Sequence, residues 1–171
     1  MSGTSSAALV LGAGNYGTCL AQHLADKGHL VYLWTRSHET AETINSKRKN
    51  PNYLPQITLS SRIRAISNIK PEPGVEFTSV IIAIPTQSMR SVLPLLKPIL
   101  TPKTLLVSAA KGIEIGSLRL PMDIITETLG AEVGQRSAVL SGPSFAAEVV
   151  TRQPTAVSVA SKNHESARAA Q

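Results

Sequence analysis

Apolar residues along this chain gather in short runs that alternate with stretches of helical spacing. Ala7–Leu11 is an apolar run stopped by Gly12 and reads as a buried strand. From about Asn15 to Lys27, Gly17, Leu20, Ala21 and Leu24 fall at i, i+3, i+4 and i+7. That spacing predicts a helix with one apolar face, and Gly28 supplies its stop. His29–Thr35 is the next predicted strand, followed by a more polar helix from about Ser37 to Lys47. Asn50–Pro55 is turn-rich, Ile57–Ser67 is expected to hold one or two short strands, and Pro71–Gly74 is a loop. Ser79–Ile84 reads as a strand ended by Pro85. A helix is expected from near Thr86 toward Leu96, with a kink or early end at Pro94, because an interior proline costs roughly 3 kcal/mol. Thr104–Ala109 is another strand, and Ser117–Leu129 a helix with Pro121 in its first turn, where proline is tolerated. Ser137–Leu140 (strand), Ser144–Val150 (short helix) and Thr155–Ala160 (last strand) follow.

Strands apolar at nearly every position, alternating with helices, are what a parallel sheet covered on both faces requires. The predicted fold is therefore α/β: a Rossmann-type, doubly wound, mainly parallel sheet with helices on both faces, forming one domain over residues 1–171. At 42% hydrophobic and 4% aromatic residues, its core must be largely aliphatic. His164–Gln171 begins a further helix-like segment too short to be stable alone. We expect the sequence to stop inside an element and to omit a following domain; a frayed natural terminus is the alternative.

Charge and special residues narrow the function classes. The net charge is +6 and the isoelectric point about 9.8. The basic residues are scattered from Lys27 to Arg168 without a long run or interleaved aromatics. A nucleic-acid partner is not expected on that pattern, whereas a phosphate-bearing small molecule suits the surplus. The single cysteine, Cys19, allows no internal disulfide and reads as a packed residue of the first helix. The opening MSGTSSAA has no basic region leading into an apolar run, and no apolar stretch is long enough to span a bilayer. A cytoplasmic protein without membrane contact is expected. His23, His29, His38 and His164 do not cluster at ligand spacing, so no metal site is expected, and no G-x-S-x-G elbow marks a hydrolase.

Gly12-Ala13-Gly14-Asn15-Tyr16-Gly17 matches G-x-G-x-x-G between a predicted strand and a predicted helix, the context that motif needs. Gly12 permits the tight turn, Gly14 lets a pyrophosphate approach the backbone, and Gly17 allows close helix–strand packing. The free N–H groups and partial positive charge of the helix start then face the phosphates. A dinucleotide cofactor, NAD or NADP, follows. Where an NAD-specific domain usually places a carboxylate on the ribose 2′-hydroxyl, this chain has Arg36. A guanidinium pairs with a 2′-phosphate that a carboxylate would repel, which leans toward NADP; stacking on adenine, with both cofactors tolerated, is the other reading.

Six segments in order resemble the NAD(P)-dependent glycerol-3-phosphate dehydrogenases: Gly12–Gly17, Leu33–Arg36, Asn50–Pro55, Ile82–Ser88, Ser108–Glu114 and Ser141–Glu148. The resemblance implies reversible hydride transfer between a nicotinamide cofactor and the dihydroxyacetone phosphate/glycerol 3-phosphate pair. It implies that Asn15, Tyr16, Arg36 and Tyr53 contact the cofactor, with Ala146 on the same side. Lys111 then lies near cofactor and substrate as a supporting catalytic residue, and Gly142 and Ser144 line the substrate side. Chemistry fits these types. Lys111 follows an apolar strand, at the sheet end where ligands bind, and its ammonium there either stabilises charge on a carbonyl oxygen or holds the substrate. Gly142-Pro143-Ser144 reads as a helix entry whose N–H groups and hydroxyl face the substrate.

In the resembled family the principal proton-transfer lysine belongs to a helical C-terminal substrate domain, which this chain is expected to lack, and the full-length enzyme allows a homodimer. This chain is accordingly expected to bind cofactor with little or no turnover. A stand-alone dinucleotide-binding or sensor module is the alternative of a different class. The cofactor domain of another hydroxy-acid or sugar-phosphate dehydrogenase is the alternative among enzymes.

Overall fold

The computed structural model describes residues 5–171; the first four residues of the stretch read for a leader lie outside it. Strand β1 (Ser5–Leu11) leads into helix α1 (Asn15–Asp26), then β2 (Leu30–Trp34) and α2 (His38–Lys47). Ser37 caps α2, its hydroxyl accepting from the Thr40 N–H at 3.1 Å. Strands β3 (Ile63–Ile66) and β4 (Val75–Ile82) come next, so the Ile57–Ser67 stretch holds one strand. The segment that follows is broken as Pro94 predicted: a 3-10 turn (Thr86–Ser88), one α-helical turn α3 (Met89–Val92) and a 3-10 stretch (Leu93–Ile99). The remaining elements are β5 (Leu105–Ser108), α4 (Pro121–Leu129), α5 (Ala131–Arg136), β6 (Ala138–Ser141), α6 (Ala146–Val150), β7 (Ser158–Ser161) and α7 (His164–Ala170).

Among the described residues, seven strands form one sheet in the order β3-β2-β1-β4-β5-β6-β7. All neighbours are parallel except β6 and β7, which run antiparallel. Successive side chains of a strand point to opposite faces, and β1 shows the consequence. Leu9 and Leu11 pack with Tyr32, Phe77, Met89, Leu93 and Ile124 on one face. Val10 packs with Ala21, Ala25, Leu33 and Ile44 on the other, under α1 and α2. The Tyr32 and Phe77 rings meet edge to face at 5.2 Å. Trp34 is buried, and its indole N–H donates to the Ser67 carbonyl at 3.2 Å. Cys19 is fully buried in α1, and burial pushes its thiol up to about 11, as befits a packing residue. No described helix is long and apolar enough to cross a membrane.

Several boundaries differ from expectation for identifiable reasons. β4 begins at Val75 rather than Ser79, because its first residues pair with β1 from Ser5 onward. α4 begins at Pro121 rather than Ser117; the four residues between are held in a loop by Glu114. α6 starts at Ala146, with Phe145 in extended conformation at its N-cap, so Gly142-Pro143-Ser144 is a bend ahead of the helix and not its entry. The last strand starts at Ser158 and reverses direction, and α5 was not anticipated.

Candidate functional site

The carboxyl ends of β1, β4, β5 and β6 open on a cleft of about 520 Å³, lined among others by Asn15, Tyr16, Leu54, Lys111, Ser144 and Ala146. Five of the six were expected at the site; Leu54 was not.

The glycine loop is shaped by two close approaches. Gly12 has φ +106°, and its N–H donates to the Trp34 carbonyl at 3.0 Å, which joins the loop to the end of β2. Gly17 sits inside α1 where a Cβ would lie 1.8 Å from the Gly12 carbonyl oxygen. Gly14 is different in kind. It is the N-cap of α1 in ordinary extended conformation, and beyond its chain neighbours a Cβ there would meet no described residue within 4 Å. Among the described residues no side chain caps the first turn of α1, so its N–H groups face the space beyond Gly14.

Asn50 holds the second wall and was missed as an individual residue. Its buried side chain donates to the Ala13 carbonyl at 2.8 Å and the Thr18 hydroxyl at 2.9 Å. Its carbonyl oxygen accepts the N–H groups of Asn52 and Tyr53. The Asn50–Pro55 loop is thereby tied to the glycine loop, which brings Leu54 into the cleft. Tyr53 stands on this loop, 42% exposed, and outside the cleft lining. Arg36 is exposed two residues beyond the Trp34 carbonyl, and no hydrogen bond or ion pair among the described residues engages its side chain.

Three side chains from distant parts of the chain meet across the cleft. The hydroxyls of Tyr16 and Ser144 are hydrogen-bonded at 2.8 Å. The Lys111 ammonium donates to the Gly142 carbonyl at 3.2 Å and lies 5.9 Å from the centre of the Tyr16 ring. Such an exposed cation–π contact contributes about 0.5–1 kcal/mol, enough to bias the ammonium toward the cleft without fixing it. Gly142 and Ser144 therefore reach Lys111 and Tyr16 through a carbonyl and a hydroxyl.

The loop after β5, which carries Lys111, is fastened to the turns after β4. The Thr86 hydroxyl donates to the Lys111 carbonyl at 2.8 Å. The Gln87 amide donates to the Ile113 carbonyl at 2.9 Å and accepts the Ile115 N–H at 3.0 Å. Arg90 Nε donates to both carboxylate oxygens of Glu114 at 2.9 Å, and the Ser117 hydroxyl also donates to that carboxylate. Hydrogen bonds from Ser117 and then Arg90 hold the Glu114 carboxyl below the usual carboxylate range, so it is ionised at neutral pH. Glu127 pairs with Arg90 at 2.6 Å and with Arg119 at 2.9 Å. The same loop turns Ile113, Ile115, Leu118 and Leu120 outward, each more than half exposed.

Residues 7–167 match the family described as NAD-dependent glycerol-3-phosphate dehydrogenase N-terminus. The chain is 40% identical over 162 residues to a glycerol-3-phosphate dehydrogenase (NAD(P)+) of Leptospira biflexa, covering 95% of this chain and 48% of that protein. It is 43% identical over 160 residues to glycerol-3-phosphate dehydrogenase (NAD(P)+) 2 of Mycobacterium tuberculosis, covering 94% and 47%. The solved glycerol-3-phosphate dehydrogenase of Coxiella burnetii superposes with a TM-score of 0.84 at 34% identity, covering 97% of this chain and 50% of that one. The chain thus spans about half the length of the curated relatives it matches. Matched over nearly its whole length in sequence and in fold, the chain belongs to the family of NAD-dependent glycerol-3-phosphate dehydrogenase N-terminal domains.

Proposed function

We propose that this chain is the cofactor-binding half of an enzyme that interconverts dihydroxyacetone phosphate and sn-glycerol 3-phosphate with NAD(P)H. One observation carries the reading: the uncapped start of α1 and the Lys111, Gly142 and Ser144 groups meet at one cleft. The residues fit a dinucleotide, because the space a Gly14 side chain would fill is open while Gly12 and Gly17 are already in contact with protein. Gly12, Gly14, Asn15, Tyr16 and Gly17 would hold its diphosphate end, Arg36 and Tyr53 its adenosine end, and Ala146 and Lys111 its nicotinamide end. When bound, the cofactor supplies or accepts the hydride. Lys111 contributes positive charge where negative charge develops on the substrate's carbonyl oxygen, in a cleft whose walls raise the value of that charge. Ser144, oriented by Tyr16, presents its hydroxyl to the substrate.

The reading includes a second domain that holds the substrate phosphate and moves the proton. The outward aliphatic side chains of the Ile113–Leu120 stretch favour it, because grouped apolar surface of this kind marks sites that another segment covers. This chain alone is therefore expected to bind cofactor without measurable turnover, since hydride transfer needs a positioned carbonyl and a proton donor within reach. Steady dihydroxyacetone-phosphate-dependent NADPH oxidation by the purified chain, free of contaminating enzyme, would refute that.

NADP is the proposed preference, on the strength of Arg36, two residues past the end of β2 and unengaged by any described residue. Titration calorimetry with NADH and NADPH tests it in the wild-type chain and in Arg36→Asp. The substitution is expected to weaken NADPH about 30-fold, as the loss of a charge-assisted pair and gain of a repulsion predict, and NADH about threefold or less. Equal losses would remove the 2′-phosphate role from Arg36 and leave stacking.

A further inference from the structure

Glu114 is a nearly buried carboxylate that the proposed chemistry does not use. Its side chain is 10% exposed, and it sits three residues beyond Lys111. Burying an ionised carboxylate is costly unless it is fully hydrogen-bonded, and here it is: Arg90 spans both oxygens and Ser117 adds a third donor. The backbone closes around it as well, since Glu114 N–H donates to the Arg119 carbonyl and Leu118 N–H donates to the Glu114 carbonyl. Leu118 is held at φ +57°, a conformation a leucine adopts only when its surroundings impose it.

Thr86, Gln87 and Arg90 lie within five residues on the turns after β4, and all three grip the loop after β5. Thr86 takes hold of Lys111 itself, at its carbonyl. A loop gripped at Lys111, at Ile113 and Ile115, and at Glu114 cannot rotate the Lys111 backbone independently. Among the described residues, the Lys111 ammonium is tethered by one carbonyl and an aromatic face. Its place in the cleft is thus decided by the backbone beneath it.

We propose that Glu114, clasped by Arg90 and Ser117, is a positioning residue that fixes where Lys111 presents its ammonium in the cleft. The inference rests on the reading of Lys111 as a ligand-facing residue. Its test is a double-mutant cycle read by titration calorimetry with NADH, with thermal melting of every variant. Lys111→Ala is expected to weaken NADH about tenfold, and Glu114→Gln about fivefold. In the Lys111→Ala background, Glu114→Gln is expected to cost nothing further. Gln87→Ala, which loosens the same loop without disturbing a buried charge, should repeat the pattern and keeps the test valid if Glu114→Gln does not fold. A loss on Glu114→Gln and Gln87→Ala that persists undiminished without Lys111 would mean a general structural role and overturn the inference. So would a normal NADH affinity in both loop variants while Lys111→Ala is impaired. If Lys111→Ala itself binds NADH normally, the ligand-facing reading of Lys111 falls and takes this inference with it.

Discussion

Alanine at position 17 is expected to destabilise the fold by about 3 kcal/mol, a fall in Tm of about 10 °C for a domain of this size. The sign is opposite to what helix propensity predicts. Gly17 lies inside α1, where alanine is ordinarily better than glycine by about 1 kcal/mol. Here the added methyl would stand 1.8 Å from the Gly12 carbonyl oxygen and 3.3 Å from the Ala83 Cβ. Both neighbours are fixed, Gly12 by its bond to Trp34 and Ala83 by its N–H bond to the Leu11 carbonyl. Helix and sheet must part to admit the methyl. Urea unfolding of Gly17→Ala measures the loss, and unchanged or raised stability would contradict the packing described.

Valine at position 14 is expected to do the reverse: leave stability nearly untouched and weaken dinucleotide binding at least a hundredfold, equivalent to about 2.8 kcal/mol. The backbone at Gly14 is at φ −74°, which any residue adopts, and beyond its chain neighbours a Cβ there meets no atom of the described residues within 4 Å. The valine would therefore fold into place and occupy the space in front of the uncapped α1 start. Calorimetric titration with NADPH, alongside urea unfolding, separates the two quantities. A variant that folds and binds NADPH normally would end the proposal that the diphosphate rests on this turn.

The two substitutions mark what was and was not legible in the amino-acid order. β1, β2 and β5 were legible because parallel strands buried on both faces are continuous apolar runs. The first half of β4 was not, because Val75-Glu76-Phe77-Thr78 alternates between exposed and buried positions and lacks such a run. The direction of β7 has no local signature, since Ser158–Ser161 carries the same short alternation either way. α5 was hidden by two glycines, Gly130 at its N-cap and Gly134 within it. At the site, the glycine turn was legible because its geometry is set by neighbours in sequence. Asn50 and Glu114 were not, because their roles depend on partners 37 and 24 residues away. Ser144 bonds Tyr16, which lies 128 residues off, and no local spacing announces that bond.

Trp34 is the sole tryptophan of the chain, buried at the end of β2 and joined through its carbonyl to Gly12. Indole emission overlaps the absorption band of reduced nicotinamide, so a single donor sits one hydrogen bond from the glycine turn. Occupancy of the cleft by NADH or NADPH becomes readable as quenching of this one fluorophore, without any label. Because the ring is shielded from solvent, the signal will report ligand and not solvent exposure until the fold itself is lost.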